Sequence, residues 1–164
     1  MTALEFCKTT LPGAASAAVK YGINPIGMMA QSALETGWGT HAPGNMYFGI
    51  KATNWNGVRQ ELYTTEYVNG EKVRVKQWFR AYPSAVESFE DYGKLISSLS
   101  RYEKALQYSG YNQVNMYLAA IAEGGYATDP NYVSKLTSIA NTIKNYVSLP
   151  ELDKALQEAE KKKM

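Results

Sequence analysis

Asn69-Gly70 stands between two runs rich in β-branched and aromatic residues, 58–68 and 73–79. Both residues of that pair accept the positive φ of a type I′ turn, which makes Asn-Gly the strongest short-range hairpin signal. A two-residue loop sets the register, with Glu66 opposite Val73 and Thr64 opposite Val75. The remaining periodicity is helical. The chain must therefore set one small β-hairpin lobe beside a helical body, an α+β architecture. Its 164 residues suffice for one domain that buries a core without cross-links or metal.

Helix signals recur on both sides of the hairpin. Pro12 reads as the opener of a short helix closed by Gly22. Asn24-Pro25 joins an N-cap to a Pro at the first helical position, and Ile26, Met29, Ala30, Ala33 and Leu34 follow at helical spacing. That helix must stop near Glu35, because Thr36-Gly37-Trp38-Gly39 continues it poorly. Residues 40–57, rich in Gly, Pro and Asn, read as loop. Ser84 and Glu87 form a capping box ahead of a stripe of Val86, Phe89, Tyr92, Leu95, Ile96 and Leu99. Shorter helices are expected at 103–108 and 112–123, the second closed by Gly124-Gly125. Asp129-Pro130 repeats the cap-plus-Pro signature before Tyr132, Val133, Leu136, Ile139, Ala140 and Ile143. A second box, Ser148 and Glu151, opens a charged tail. The chain thus divides into a body, 1–147, and a helical tail, 148–164. The tail's narrow stripe of Leu149, Leu152, Leu156 and Ala159 fits docking, dimerisation or a free solvated helix.

Composition removes several classes of chemistry. One Cys (Cys7) and one His (His41) exclude a disulfide framework and a multi-His metal site, and no local motif supports a Cys–His nucleophile. No Walker loop, Gly-x-Ser-x-Gly or strand-anchored Gly-x-Gly-x-x-Gly is present. A net charge of +2 without a basic stripe argues against duplex nucleic acid as partner. No run approaches the ~18 apolar residues of a membrane span. The opening MTALEFCKTTLPG carries an acid and no long apolar core, so it does not read as a secretory signal and synthesis in the cytoplasm is expected. Thirteen Tyr are more polar-tipped aromatic surface than a core requires; flat amphipathic rings suit sugars, bases or protein partners.

Carboxylate chemistry is what remains. Glu35 ends a helix, where the macrodipole disfavours its ionised form, and Trp38 and glycines follow it. On the helical wheel Glu35 lies roughly 180° from Ile26. That position fits an ordinary exposed Glu and a cleft-facing acid alike. Glu66 shares a strand face with Thr64, Val68, Val73 and Val75, a solvated face or one aimed into a groove. Asp129 has a capping role, and Glu123 sits at a helix end.

The segment Ala30-Gln31-Ser32-Ala33-Leu34-Glu35-Thr36-Gly37-Trp38-Gly39 resembles a motif of the bacterial and phage glucosaminidases of glycoside hydrolase family 73. Four further blocks resemble the family in the same order. They are 45–52 with its Phe48-Gly49-Ile50-Lys51, Thr64-Thr65-Glu66-Tyr67 with Asn69-Gly70, Phe79-Arg80-Ala81-Tyr82 with Ser84, and 126–130 with Tyr132. Together they span about 14–147. The resemblance implies a lysozyme-like fold with the hairpin flanking a cleft. It implies hydrolysis of the β-1,4 bond after N-acetylglucosamine in peptidoglycan, with no metal or cofactor. By motif position Glu35 corresponds to the general acid, Glu66 to the hairpin carboxylate proposed as the second catalytic residue, and Tyr126 to a tyrosine that assists catalysis or positions the N-acetyl sugar. Trp38, Asn45, Phe48 and Tyr132 fall in matched blocks and are expected to bind substrate. The glycan strand is the expected partner, and the enzyme is expected to be a monomer that acts at the wall. A signal-less wall hydrolase resembles a phage endolysin released through a holin pathway, or a delivered toxin paired with an immunity protein.

Overall fold

The computed structural model describes residues 1–163. In chain order it contains helices α1 (Ala3–Tyr21) and α2 (Pro25–Thr36), strands β1 (Arg59–Val68) and β2 (Glu71–Arg80), and helices α3 (Ala85–Ser98), α4 (Val114–Glu123), α5 (Tyr132–Tyr146) and α6 (Leu149–Lys163). Short 3-10 segments fill the connections at Pro43–Asn45, Ser100–Gln107 and Tyr111–Gln113.

α1 is longer than its sequence suggests. It begins at Ala3, where the Thr2 hydroxyl accepts the Glu5 backbone N–H at 3.1 Å, and Pro12 lies inside it. An internal proline removes one N–H and crowds the carbonyl four residues back. That carbonyl belongs to Lys8, and both Lys8 and Pro12 lie on the solvent side. The opposite face carries Phe6, Thr10, Gly13, Ala14 and Ala17, all buried. Burial of this face outweighs the local penalty. Gly13 lets α1 approach α3 closely: a Cβ there would stand 3.1 Å from the Cβ of Phe89. Phe6, Ile26, Met29, Phe89, Ile96, Leu118 and Leu136 are fully enclosed at the centre of the helical body.

The hairpin has the expected register, Glu66 with Val73 and Thr64 with Val75. Asn69 and Gly70 take φ of 53° and 81°, as the tight turn requires. Gln60, Leu62, Thr64 and Glu66 share the half-buried face with Val73, Val75, Gln77 and Phe79. Val68, expected on that face, is exposed at the tip. Residues 50–52 run along β2, with Arg80 N–H donating to Ile50 O at 2.9 Å and Ala52 N–H to Trp78 O at 2.9 Å. The base of the ribbon is fixed by Arg80. Its guanidinium meets both Asp91 oxygens at 3.0 and 3.2 Å, donates to the Lys51 and Thr53 carbonyls at 3.1 and 3.0 Å, and lies over Trp55.

The short helix expected at 103–108 is present as 3-10 turns over Ser100–Gln107, and the one expected at 112–123 begins as 3-10 before α4. Two local expectations need correction. The Ser84 hydroxyl bonds the Glu87 carboxylate instead of a backbone N–H, so the capping box there is incomplete. α5 starts at Tyr132, not at Pro130, because Asp129 closes a turn: its Oδ1 accepts Asn131 N–H at 2.9 Å and its Oδ2 pairs with Lys135 at 2.7 Å. The box at Ser148 and Glu151 does form, at 3.3 and 3.4 Å. α6 docks along α1, burying Leu152, and Lys163 reaches the Val19 carbonyl at 3.4 Å. At the other end of α1, Met1 lies against Gly39.

Candidate active site

α2 is held at both ends, and this positions Glu35 in its last turn. Asn24 caps the start, its Oδ1 accepting Gly27 N–H at 3.0 Å, while its amide donates to the Tyr108 and Gly110 carbonyls at 2.8 and 2.9 Å. Gly37 ends the helix in the left-handed conformation at φ 57°. Every residue from Pro25 to Ala33 is buried and Leu34 half-buried, so Glu35 is the one exposed residue of α2. The loop after Phe48 passes directly beside its carboxyl. A Cβ on Gly49 would stand 3.7 Å from Glu35 Oε2, and Gly49 has φ +60°, so glycine serves both the approach and the backbone.

Aromatic rings pack beneath the acid. Tyr126 and Tyr132 stack at 6.0 Å, Tyr92 and Tyr102 meet Tyr126 at 6.2 Å each, and Phe48 stacks on Tyr92 at 4.0 Å. Gln31, one turn before Glu35 and 0% exposed, ties this layer to α2. Its amide donates to Tyr132 Oη at 3.1 Å, and its carbonyl accepts from the Tyr92 hydroxyl. Tyr92 Oη lies 3.1 Å from Tyr117 Oη. Tyr92 has one proton and gives it to Gln31, so Tyr117 is the donor to Tyr92. The hydroxyls therefore run in one direction, Tyr117 to Tyr92 to Gln31 to Tyr132, and the Tyr132 proton is left to donate onward.

Burial disfavours the charged form of each of these groups. Glu35 reaches solvent on one side, but protein surrounds its carboxyl on the others, and this desolvation raises its pKa above the ordinary value. Burial, and secondly the charge of Glu35, push the Tyr126 hydroxyl well above its usual range. Tyr132 is pushed up to about 12, chiefly by burial, against the opposing hydrogen bond from Gln31. Both tyrosines are proton-bearing donors, not nucleophiles. Burial likewise lifts the Cys7 thiol to about 11, which removes it as a thiolate.

The remaining sequence candidates are spread around this centre. Glu66 lies on the inner face of the hairpin, accepts from Gln77 at 3.1 Å and pairs with Lys51 at 3.6 Å, two residues beyond Gly49. Trp38 turns to α1, its ring edge-on to Phe6 at 5.5 Å. The Asn45 amide donates to the Tyr82 carbonyl at 3.0 Å, and Phe48 and Tyr132 are buried within the aromatic layer. Sequence reasoning missed Gln31 and Tyr92. The signal for Gln31 was an uncharged polar side chain in a helix otherwise almost wholly apolar up to Glu35. A groove of about 580 Å³ between α1, α3 and α6 contains none of these residues.

The raised pKa of Glu35 has a stability consequence. The unfolded chain loses this proton first, so stability falls as pH rises from the unfolded value of about 4.3 to the higher folded one and is level above it. Glu35→Gln removes that penalty. Its melting temperature should equal or exceed that of the parent at pH 7, with the gap closing below about pH 4. A variant melting clearly below the parent at pH 7 would show that the carboxylate is stabilising.

A helical body, a hairpin lobe and a protonatable carboxyl above buried tyrosine donors define a lysozyme-like glycoside hydrolase domain. Residues 11–145 match the family described as mannosyl-glycoprotein endo-beta-N-acetylglucosaminidase. The chain belongs to this glucosaminidase family. It is 35% identical over 150 residues to the peptidoglycan hydrolase FlgJ of Pseudomonas aeruginosa, covering 87% of this chain and 37% of that protein. It superimposes on the glycoside hydrolase domain of Salmonella typhimurium FlgJ over 100% of both chains, with TM-score 0.76 and 30% identity. A peptidoglycan hydrolase mutant from Sphingomonas sp. A1 is 37% identical with TM-score 0.75, over 87% of this chain and 97% of that one. The chain spans 37–47% of the length of the FlgJ sequences it matches.

Proposed function

We propose that this protein is a peptidoglycan hydrolase that cuts the β-1,4 bond after N-acetylglucosamine, with Glu35 as its general acid. The observation that carries the reading is the Glu35 carboxyl, solvent-facing on an otherwise buried helix and with its pKa raised by desolvation. Protonated Glu35 gives its proton to the leaving glycosidic oxygen, and positive charge builds at C1 and the ring oxygen of the sugar. Two routes complete the reaction. Either Glu66 takes a proton from water as the water attacks C1, inverting the centre, or the 2-acetamido oxygen attacks C1 and the configuration is retained. Tyr126, beside Glu35 and proton-bearing, suits the second route by orienting the acetamido group. Trp38, Asn45, Phe48 and Tyr132 shape the surroundings in which the glycan binds. The enzyme works at the wall as a monomer, reached by holin-dependent release as for an endolysin or by delivery as a toxin with an immunity partner.

Product analysis tests this reading. Purified peptidoglycan is digested, reduced with borohydride and examined by mass spectrometry. Reduced N-acetylglucosamine ends are expected. Reduced muramic-acid ends would make the protein a muramidase, anhydro ends a lytic transglycosylase, and no new ends a glycan-binding module. Glu66→Gln should slow the reaction less than Glu35→Gln does. Equal losses with an inverted product would favour water activation by Glu66.

A further inference from the structure

The hairpin has a second face that the proposed reaction does not use. Arg59, Glu61, Tyr63, Thr65 and Tyr67 of β1 and Lys72, Arg74, Lys76 and Trp78 of β2 alternate outward, away from Glu66. Tyr63, Tyr67 and Trp78 are 56%, 70% and 52% exposed. The face holds four cations and one carboxylate, a net +3, against +2 for the whole chain. Positive charge is thus concentrated on this ribbon and absent, on balance, from the rest of the molecule. Glu61 pairs with Lys76 at 3.7 Å, which leaves Arg59, Lys72 and Arg74 without a carboxylate partner among the described residues.

Part of this pattern serves the ribbon itself. Arg74 lies over the Tyr63 ring at 4.2 Å, Lys76 at 5.3 Å from the same ring, and Arg59 at 5.8 Å from Trp78. Such cation–π contacts stiffen an exposed two-stranded sheet. They do not account for Tyr67 and Lys72. These two face one another across the ladder at the tip, and among the described residues neither bonds nor stacks with another side chain. Exposed rings interleaved with unpaired cations suit a polymer that offers both flat sugar faces and carboxylates.

We propose that this outer face binds a peptidoglycan strand other than the one being cut, its sugar rings on Tyr63, Tyr67 and Trp78 and its stem-peptide carboxylates on Arg59, Lys72 and Arg74. The proposal rests on the wall substrate assigned above. It commits to peptidoglycan because the opposite face of the same ribbon carries Glu66, within the site that takes the same polymer. From residue 72 to residue 78 the face runs about 20 Å, long enough for several sugars.

The test uses the full chain carrying Glu35→Gln, so binding is read without cleavage. Co-sedimentation with insoluble peptidoglycan, stripped of other wall polymers, is compared with and without Tyr67→Ser, Lys72→Gln and Arg74→Gln together. Binding should weaken about tenfold, as expected from two exposed ion pairs lost together. Amidation of the peptidoglycan carboxylates should weaken the parent to the same level. The Tyr67→Ser, Lys72→Gln pair alone, at side chains without partners among the described residues, should weaken binding about threefold and leave the melting temperature unchanged. Unchanged binding by both variants overturns the proposal. So does a single-stranded oligonucleotide that binds this face more tightly than peptidoglycan does. Hydrolysis is read separately with Glu35 intact: no cleavage defeats the functional reading, whereas cleavage with unaltered variant binding defeats only this one.

Discussion

Replacing Glu35 with Gln is expected to slow hydrolysis of purified peptidoglycan by about 10²–10⁴-fold, the contribution of one positioned general acid. Gln keeps the shape and much of the hydrogen bonding but cannot give up a proton to the leaving oxygen. Nothing else in α2 can replace it, because the rest of the helix points into the core. The tyrosines below cannot take over as acids of suitable strength, since burial holds their protons too tightly. The same physics sets the pH profile. The parent's rate should fall on the alkaline side as Glu35 ionises, at a pH above that of an ordinary glutamate because desolvation raises its pKa. A Glu35→Gln protein that clears walls at the parent rate would remove Glu35 from the mechanism.

Asp91→Ala should be the most damaging change outside the acid's own surroundings, costing about 3–5 kcal/mol. The Arg80–Asp91 pair is nearly enclosed, with 13% and 11% of the two side chains exposed. Asp91 also accepts the Tyr82 hydroxyl, which burial and this bond drive far above its usual pKa. Removing the carboxylate strands a guanidinium and a phenol at the junction of β2 and α3. At roughly 2–4 °C per kcal/mol for a chain of this size, the melting temperature should drop by about 6 °C or more. Asp91→Asn, which keeps an acceptor, should lose less. A melting temperature within a degree of the parent for Asp91→Ala would show that the hairpin base is held elsewhere.

What was legible in the sequence follows from how local each determinant is. The hairpin and its register were readable because Asn69-Gly70 favours one turn type, and that turn fixes every pair behind it. The cap at Asn24 and the stop at Gly37 were readable for the same reason. Pro12 misled because the buried face of α1 is built by contacts with distant helices, which override a local helix breaker. Asp129 misled because its side chain closes a turn before the helix, a choice that neighbouring residues leave open. Glu35 could not be told from a solvated Glu by periodicity, since both point away from the core; its motif, not its spacing, singled it out. Gln31 carries partners 61 and 101 residues away, and no local pattern encodes such a bond.

The direction of α1 also governs how a longer polypeptide would leave the molecule. Its first turn abuts Gly39, just past the end of α2, while the last turn of α6 lies by Val19 at the other end. At 1.5 Å per residue those two points are separated by about 25–28 Å. Any module joined ahead of Thr2 would emerge beside Gly39, at the end of α2 that carries Glu35. One joined behind α6 would hang from the opposite pole of α1. The two attachment points are therefore unequal, and fusion partners or affinity tags intended to leave activity untouched belong on the α6 side.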